Sequence, residues 1–166
     1  MKHLPVLLAG ACLALAACTP SNVKPGAVVP TAVKAGQSWV VTRPLAAAQV
    51  LDTCSRDSPA RHEGEVTGYW APSRADIEAL EGRLPQLAPT VAEPEKADRQ
   101  YVGFESNGKR LIYINGFTLP DHDKRDPTRE PVRVCDGGSR FWGAVYDPQT
   151  GSFSDVQFNG PPAATP

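Results

Sequence analysis

The run QYVGFES-NG-KRLIYINGF, residues 100–117, constrains the fold more than any other part of the chain. Apolar residues recur with a period of two on both sides of Asn107-Gly108, a dipeptide suited to a two-residue type I′ turn. Pairing about that turn sets Glu105 opposite Arg110, Phe104 opposite Leu111, Gly103 opposite Ile112, Val102 opposite Tyr113 and Tyr101 opposite Ile114. One face then carries Val102, Phe104, Leu111 and Tyr113, and the other Tyr101, Ile112 and Ile114. A slip by one residue would lose the Glu105–Arg110 charge match and exchange the faces. Because both faces are apolar, each requires cover.

More elements surround this hairpin. Val132-Arg133-Val134-Cys135 reads as a strand, Asp136-Gly137-Gly138 as a tight turn and Arg140 to Tyr146 as the returning strand. Asp147-Pro148-Gln149-Thr150-Gly151 has the residues of a turn, and Ser152 to Phe158 follows as a last strand. Upstream, Ser38–Thr42 and Val66–Trp70 are possible short strands. Pro44 suits a first helical turn, with Leu45, Ala48, Val50, Leu51 and Cys54 near helical spacing. A second helix is signalled by Ser73, with Asp76 placed to complete a capping box. Its stripe of Ile77, Leu80 and Leu84 ends at Pro85. Residues 85–99 read as a long loop, which is functional or mobile. The expected fold class is α+β, one or two helices packed on an antiparallel β-meander of about five strands.

The N-terminus predicts an address. Lys2 precedes fourteen mainly apolar residues, Leu4 to Ala17, the length of a signal-peptide core. Leu15-Ala16-Ala17-Cys18 resembles a bacterial lipobox, whose cysteine receives lipid and becomes the first mature residue. By resemblance to lipoprotein sorting signals, Thr19 rather than aspartate after the cysteine favours the outer membrane. An ordinary signal with an incidental cysteine is the alternative. Expected boundaries are a signal at 1–17, a lipidated flexible tether at 18–37, one domain at 38–159 and a disordered tail at 160–166. Proline and glycine with no aromatic residue make 19–36 a tether.

Without the signal the chain has sixteen basic and eighteen acidic residues, and no basic patch interleaved with aromatics. A nucleic-acid partner therefore has no electrostatic footprint. With Cys12 removed and Cys18 lipidated, Cys54 and Cys135 remain, and an oxidising periplasm favours a disulfide between them. Two separate buried thiols are the alternative.

Three segments, CDGGSRFWGAVYDPQTGSFSDVQFNG, GYWAPSRADIEALEGRLP and YVGFESNGKRLIYINGF, together resemble a group of small bacterial envelope lipoproteins. The resemblance implies an envelope location and transfers no catalytic residue. The helix-then-meander order is also similar to cystatin-like and NTF2-like folds, an analogy of fold that settles no activity.

Few residues suggest chemistry. Asp121-His122-Asp123 is the most metal-like cluster, but successive side chains of an extended segment point apart, so a solvated, salt-linked loop and no metal are expected. His62-Glu63-Gly64-Glu65 receives the same reading. Gly138-Ser139 and Gly151-Ser152 lack the strand-to-helix elbow of a serine nucleophile. Asp136 can close its own turn. Candidate binding residues are Tyr69, Trp70, Asp136, Trp142 and Tyr146, with core packing the competing role for the aromatics. No cofactor is expected. The functional expectation is a non-catalytic protein-binding module held at the outer membrane by lipid on Cys18, as an inhibitor, immunity protein or envelope accessory. The alternative is a small-ligand-binding or hydrolytic domain with a pocket between helix and sheet.

Overall fold

Asn107 and Gly108 take φ values of 52° and 73°, the two left-handed conformations that a type I′ turn requires. About this turn, β3 (Asp98–Ser106) and β4 (Lys109–Phe117) pair antiparallel, with all five expected cross-strand pairs from Glu105↔Arg110 to Tyr101↔Ile114. The computed structural model describes residues 36–53 and 60–160. The signal segment, Cys18, all of the tether but its last two residues, Cys54 and the tail from 161 onward lie outside the described residues.

The hairpin is the centre of a six-stranded sheet. β5 (Gly138–Asp147) pairs with β4, and β6 (Ser152–Asn159) pairs with β5, all antiparallel. On the other side β3 is shared: β1 (Ser38–Val40) pairs with its first half in parallel, and β2 (Gly68–Trp70) with its second half antiparallel. The fold is α+β, with two helices and a mixed sheet instead of a pure meander. Between β1 and its parallel partner β3 the chain makes two helices and β2, a long connection of the kind that a parallel pair requires.

The helices cover opposite faces. α2 (Arg74–Glu81) is started by a capping box: Ser73 Oγ accepts from the Asp76 amide at 3.2 Å, and Asp76 Oδ2 accepts from the Ser73 amide at 2.8 Å. Ile77 and Leu80 face inward, where they join Leu84, Leu87, Val91, Tyr101, Ile112, Ile114, Trp142 and Tyr146 in the larger core cluster. Gly116 lies opposite Trp142 across the β4–β5 ladder, and a Cβ there would come within 2.1 Å of the indole; the missing side chain lets the ring lie on the strand.

The opposite face is covered by α1 (Pro44–Leu51), whose Ala47 and Val50 pack on Val102, Phe104, Leu111, Tyr113 and Val145. Further along, Phe117, Val132 and Phe141 form a separate small cluster beneath the loop between β4 and β5.

Two expectations are corrected. Residues 132–135 are not a strand, so β4 reaches β5 through the long connection 118–137. The sheet satisfies that segment with side chains instead of a ladder: Gln100 Oε1 accepts from the Val132 amide at 2.9 Å, and Asn115 Nδ2 donates to the Val132 carbonyl at 2.8 Å. Cys135 accordingly lies in a loop, half-buried and partnered, rather than in a strand. Residues 85–99 form 3-10 turns at Leu84–Leu87 and Pro94–Lys96, and then the start of β3. Leu84, Leu87 and Val91 are buried, which makes this segment part of the core wall. Arg99, fully buried, donates to the carbonyls of Glu95 and Ala97 and to Tyr101 Oη, and its guanidinium lies 3.6 Å from Glu81. Prolines obscured the apolar spacing of this stretch in the sequence.

Candidate functional site

At the end of β3 the last strand residue, Ser106, turns its hydroxyl toward the α1 side of the sheet. His62, in the irregular segment before β2, lies across it and packs edge-on against Phe104, with ring centroids 5.1 Å apart. His62 Nε2 is 3.1 Å from Ser106 Oγ, and His62 Nδ1 is 2.8 Å from Asp155 Oδ2. Because a carboxylate can only accept, Nδ1 is the donor to Asp155, and in the neutral imidazole Nε2 then accepts from the serine hydroxyl. This is the atom-by-atom connectivity of a carboxylate–imidazole–hydroxyl relay.

Asp155 reaches this position through a distortion of β6. Gly143 pairs with Gln157 and Val145 with Ser154, so three steps on β6 match two on β5, a β-bulge. Asp155 lies in the bulge with φ 51°, a left-handed conformation that costs an aspartate on the order of 1 kcal/mol. The bulge redirects the side chain out of ordinary alternation and toward His62. It also explains why Phe153, Val156 and Phe158 all pack against one core cluster despite the odd spacing from 153 to 156.

Gly64 covers the relay. A Cβ at this position would lie 2.3 Å from Ser106 Oγ and 2.8 Å from both His62 Nε2 and Asn107 Nδ2. Three polar groups thus converge beneath one glycine: a hydroxyl, an imidazole nitrogen and an amide donor. Ser106 is fully buried by this cover. Arg61, next in the chain to His62, runs inward, where it donates to Asn159 Oδ1 and stands near Tyr113. Burial pushes the Tyr113 hydroxyl up to about 12, and Arg61 opposes that rise.

A second feature lies on the same face, at the start of α1. The turn Arg43–Ala46, Gln49 and residues Arg129–Pro131 bound a groove of about 450 Å³. Leu45 is 83% exposed there, the most solvent-exposed large apolar side chain among the described residues. The far wall is fixed, since Arg43 donates to the Arg129 carbonyl at 2.6 Å and Gln100 Nε2 donates to the Pro127 and Glu130 carbonyls at 2.8 and 2.7 Å.

The residues singled out in the sequence are not gathered into one site. Trp142 and Tyr146 are buried in the α2-side core, where Tyr146 meets Phe153 at 5.2 Å. Trp70 borders that core; its Nε1 donates to the carbonyls of Phe104 and Leu111, and the Arg110 guanidinium lies 4.0 Å from its ring. Tyr69 is half-buried on the opposite side, its hydroxyl pKa raised by burial. Asp136 is exposed in the loop before β5. Of Asp121-His122-Asp123, His122 is exposed and Asp123 is committed to Arg125, whose hydrogen bonds hold its carboxyl down to about 2.

His62 differs from its expected place in a solvated loop, since it is bonded at both ring nitrogens. The sequence offered one usable sign: the phase change of apolar residues between Phe153 and Val156 marks a bulge. No protein-family model matches this chain, and no curated protein or solved structure matches it.

Proposed function

We propose that this chain is a lipid-anchored, protein-binding module of the bacterial envelope, held at the periplasmic side of the outer membrane through Cys18. Its partner is an envelope protein, and its action is to block or assist that partner by docking, without itself transforming it. The observation that carries the reading is the exposed Leu45 in a preformed groove between two arginines, Arg43 and Arg129. Arginine is enriched at interface centres, and covering Leu45 with a partner would remove apolar surface from water. A complementary segment would bring an apolar side chain to the groove and a carboxylate to the arginines. The buried relay supplies no comparable open surface.

A disulfide between Cys54 and Cys135 belongs to the proposal. It would fasten the end of the α1 region to the connection that forms the groove wall, and removing it would loosen that wall. For a loop of about 80 residues the entropic stabilisation is about 4 kcal/mol in the chain-entropy model.

The test is photo-cross-linking in living cells with a reactive residue in place of Leu45. The expected result is a discrete envelope adduct that disappears in Arg129→Glu, with the captured protein's activity changed by the purified domain. Labelled fatty acid should enter the wild type and not Cys18→Ser. A chain that takes up no lipid and yields no Arg129-dependent adduct would refute the reading.

A further inference from the structure

We propose that Ser106 is a nucleophile, activated by His62 and Asp155, that accepts the acyl group of small carboxylic esters. This activity is separate from docking at the groove. Its basis is the convergence of Ser106 Oγ, His62 Nε2 and Asn107 Nδ2 beneath Gly64, with Asp155 bound to the far side of the imidazole.

The roles follow from the atoms. The Asp155 carboxylate fixes the His62 tautomer and favours the imidazolium that forms when Nε2 takes a proton. Phe104 holds the ring edge-on and restricts its rotation. Asn107 Nδ2 is a neutral donor close to the same point, and in this proposal it would be the group that stabilises the oxyanion. Asn107 follows Ser106 directly and is held in the left-handed conformation by the type I′ turn. A serine that only pinned the segment to the sheet would not need the turned carboxylate of the bulge on the far side of the imidazole.

The reaction balances with water as co-substrate. Ser106 Oγ bonds to the ester carbonyl carbon while its proton passes to His62 Nε2. The tetrahedral intermediate then collapses, the carbon–oxygen bond to the alkoxy group breaks, and the proton leaves with the alcohol. Water repeats the sequence against the acyl-serine, His62 again holding the proton, and releases the acid and free Ser106.

The cover sets the substrate class. Ser106 is fully buried, but Glu63, Glu65 and Asn107 around it are exposed, so the hydroxyl lies one residue below solvent. Residues 61–67 belong to no helix or strand. His62 is held by Asp155 and Phe104, whereas Gly64 carries no side chain, so access to Ser106 requires displacement of the backbone at 63–65. A substrate that reaches the hydroxyl through such a displacement is expected to be small, which favours short acyl chains over bulky or polymeric ones.

The full-length chain treated with a fluorophosphonate probe and with p-nitrophenyl acetate tests this. The expected result is a single phosphonyl adduct mapped to Ser106, together with acetate release, both absent in Ser106→Ala. His62→Gln and Asp155→Asn should each slow labelling by about 100-fold or more while unfolding as cooperatively as the wild type. Ser106→Cys should exchange phosphonylation for alkylation by iodoacetamide, faster than in the double variant that also carries His62→Gln. If Ser106→Ala does not fold, the mapped wild-type adduct still decides. A folded wild type with no adduct on Ser106, an adduct on another serine, or labelling undiminished in folded His62→Gln would overturn the proposal.

Discussion

The two faces of the sheet are built by different means. On the α2 side twelve buried residues form one cluster, from Ile77 to Tyr146, closed by the helix and by the wound segment 84–97. On the α1 side the cover is assembled from a short helix, the connection 118–137 and the irregular segment around His62, over separate clusters of seven and three residues. Polar side chains join the pieces: Gln100 and Asn115 hold the connection, and Ser106 and Asp155 hold His62. Both candidate sites lie on this second face. The apolar α2-side layer confines its buried polar groups to one cluster, Arg99 with Tyr101 and Glu81, whereas a patched cover keeps hydrogen-bonding side chains along its seams, where binding and chemistry become available.

The largest effect should come from the one charged device within the sealed face. Glu81→Ala would leave Arg99 buried without its carboxylate, and a loss of about 3–5 kcal/mol is expected in denaturant unfolding. A loss below 1 kcal/mol would mean that water reaches Arg99 and that the face is not sealed. Next, Leu80→Ala on the α2 side should cost about 3 kcal/mol, against about 1.5 kcal/mol for Val50→Ala on the α1 side. Since leucine is the larger residue, the comparison is sharpened by Leu111→Ala on the α1 side; a cost equal to that of Leu80→Ala would erase the contrast. Gly64→Ala should cost about 1–3 kcal/mol, because its Cβ would be driven into Ser106 Oγ. An unchanged melting temperature would show that the cover over the relay yields freely.

Acid dependence gives a smaller effect. Arg125 lowers the Asp123 carboxyl from its ordinary 3.8 to about 2 in the folded chain. Its contribution is therefore complete above pH 4 and is lost as pH falls through about 2. Asp123→Asn should lower the melting temperature at pH 7 and flatten its fall between those values, so that the two proteins converge in acid. An identical acid slope in both proteins would exclude the pair from stability. Smallest of all, Leu45→Ser should change stability by about 0.5 kcal/mol or less, because the side chain is already in solvent. A large loss would place Leu45 in the fold rather than at an interface.

Much of the sheet was legible because its signals are local. Asn107-Gly108 fixes a turn, the turn fixes the register, and the register assigns Val102 and Tyr101 to opposite faces. The capping box of Ser73 and Asp76 was equally local. Residues 132–135 misled because alternating valines suit a strand and equally suit an extended segment that borrows hydrogen bonds from Gln100 and Asn115. The relay was hidden for another reason. Its members are 44 and 93 residues apart along the chain, and each alone is an ordinary polar residue beside a turn or in a strand.

By itself the sequence determined the central hairpin, the start of α2 and the apolar character of both faces, since each depends on side-chain period or capping within a few residues. Only the tertiary structure decided that β1 runs parallel to β3, that 84–97 is wall and not loose loop, and that a bulge in β6 brings Asp155 to His62. Those outcomes depend on which distant segments share a surface, and the free energy that chooses among them is spread over contacts that no local pattern contains.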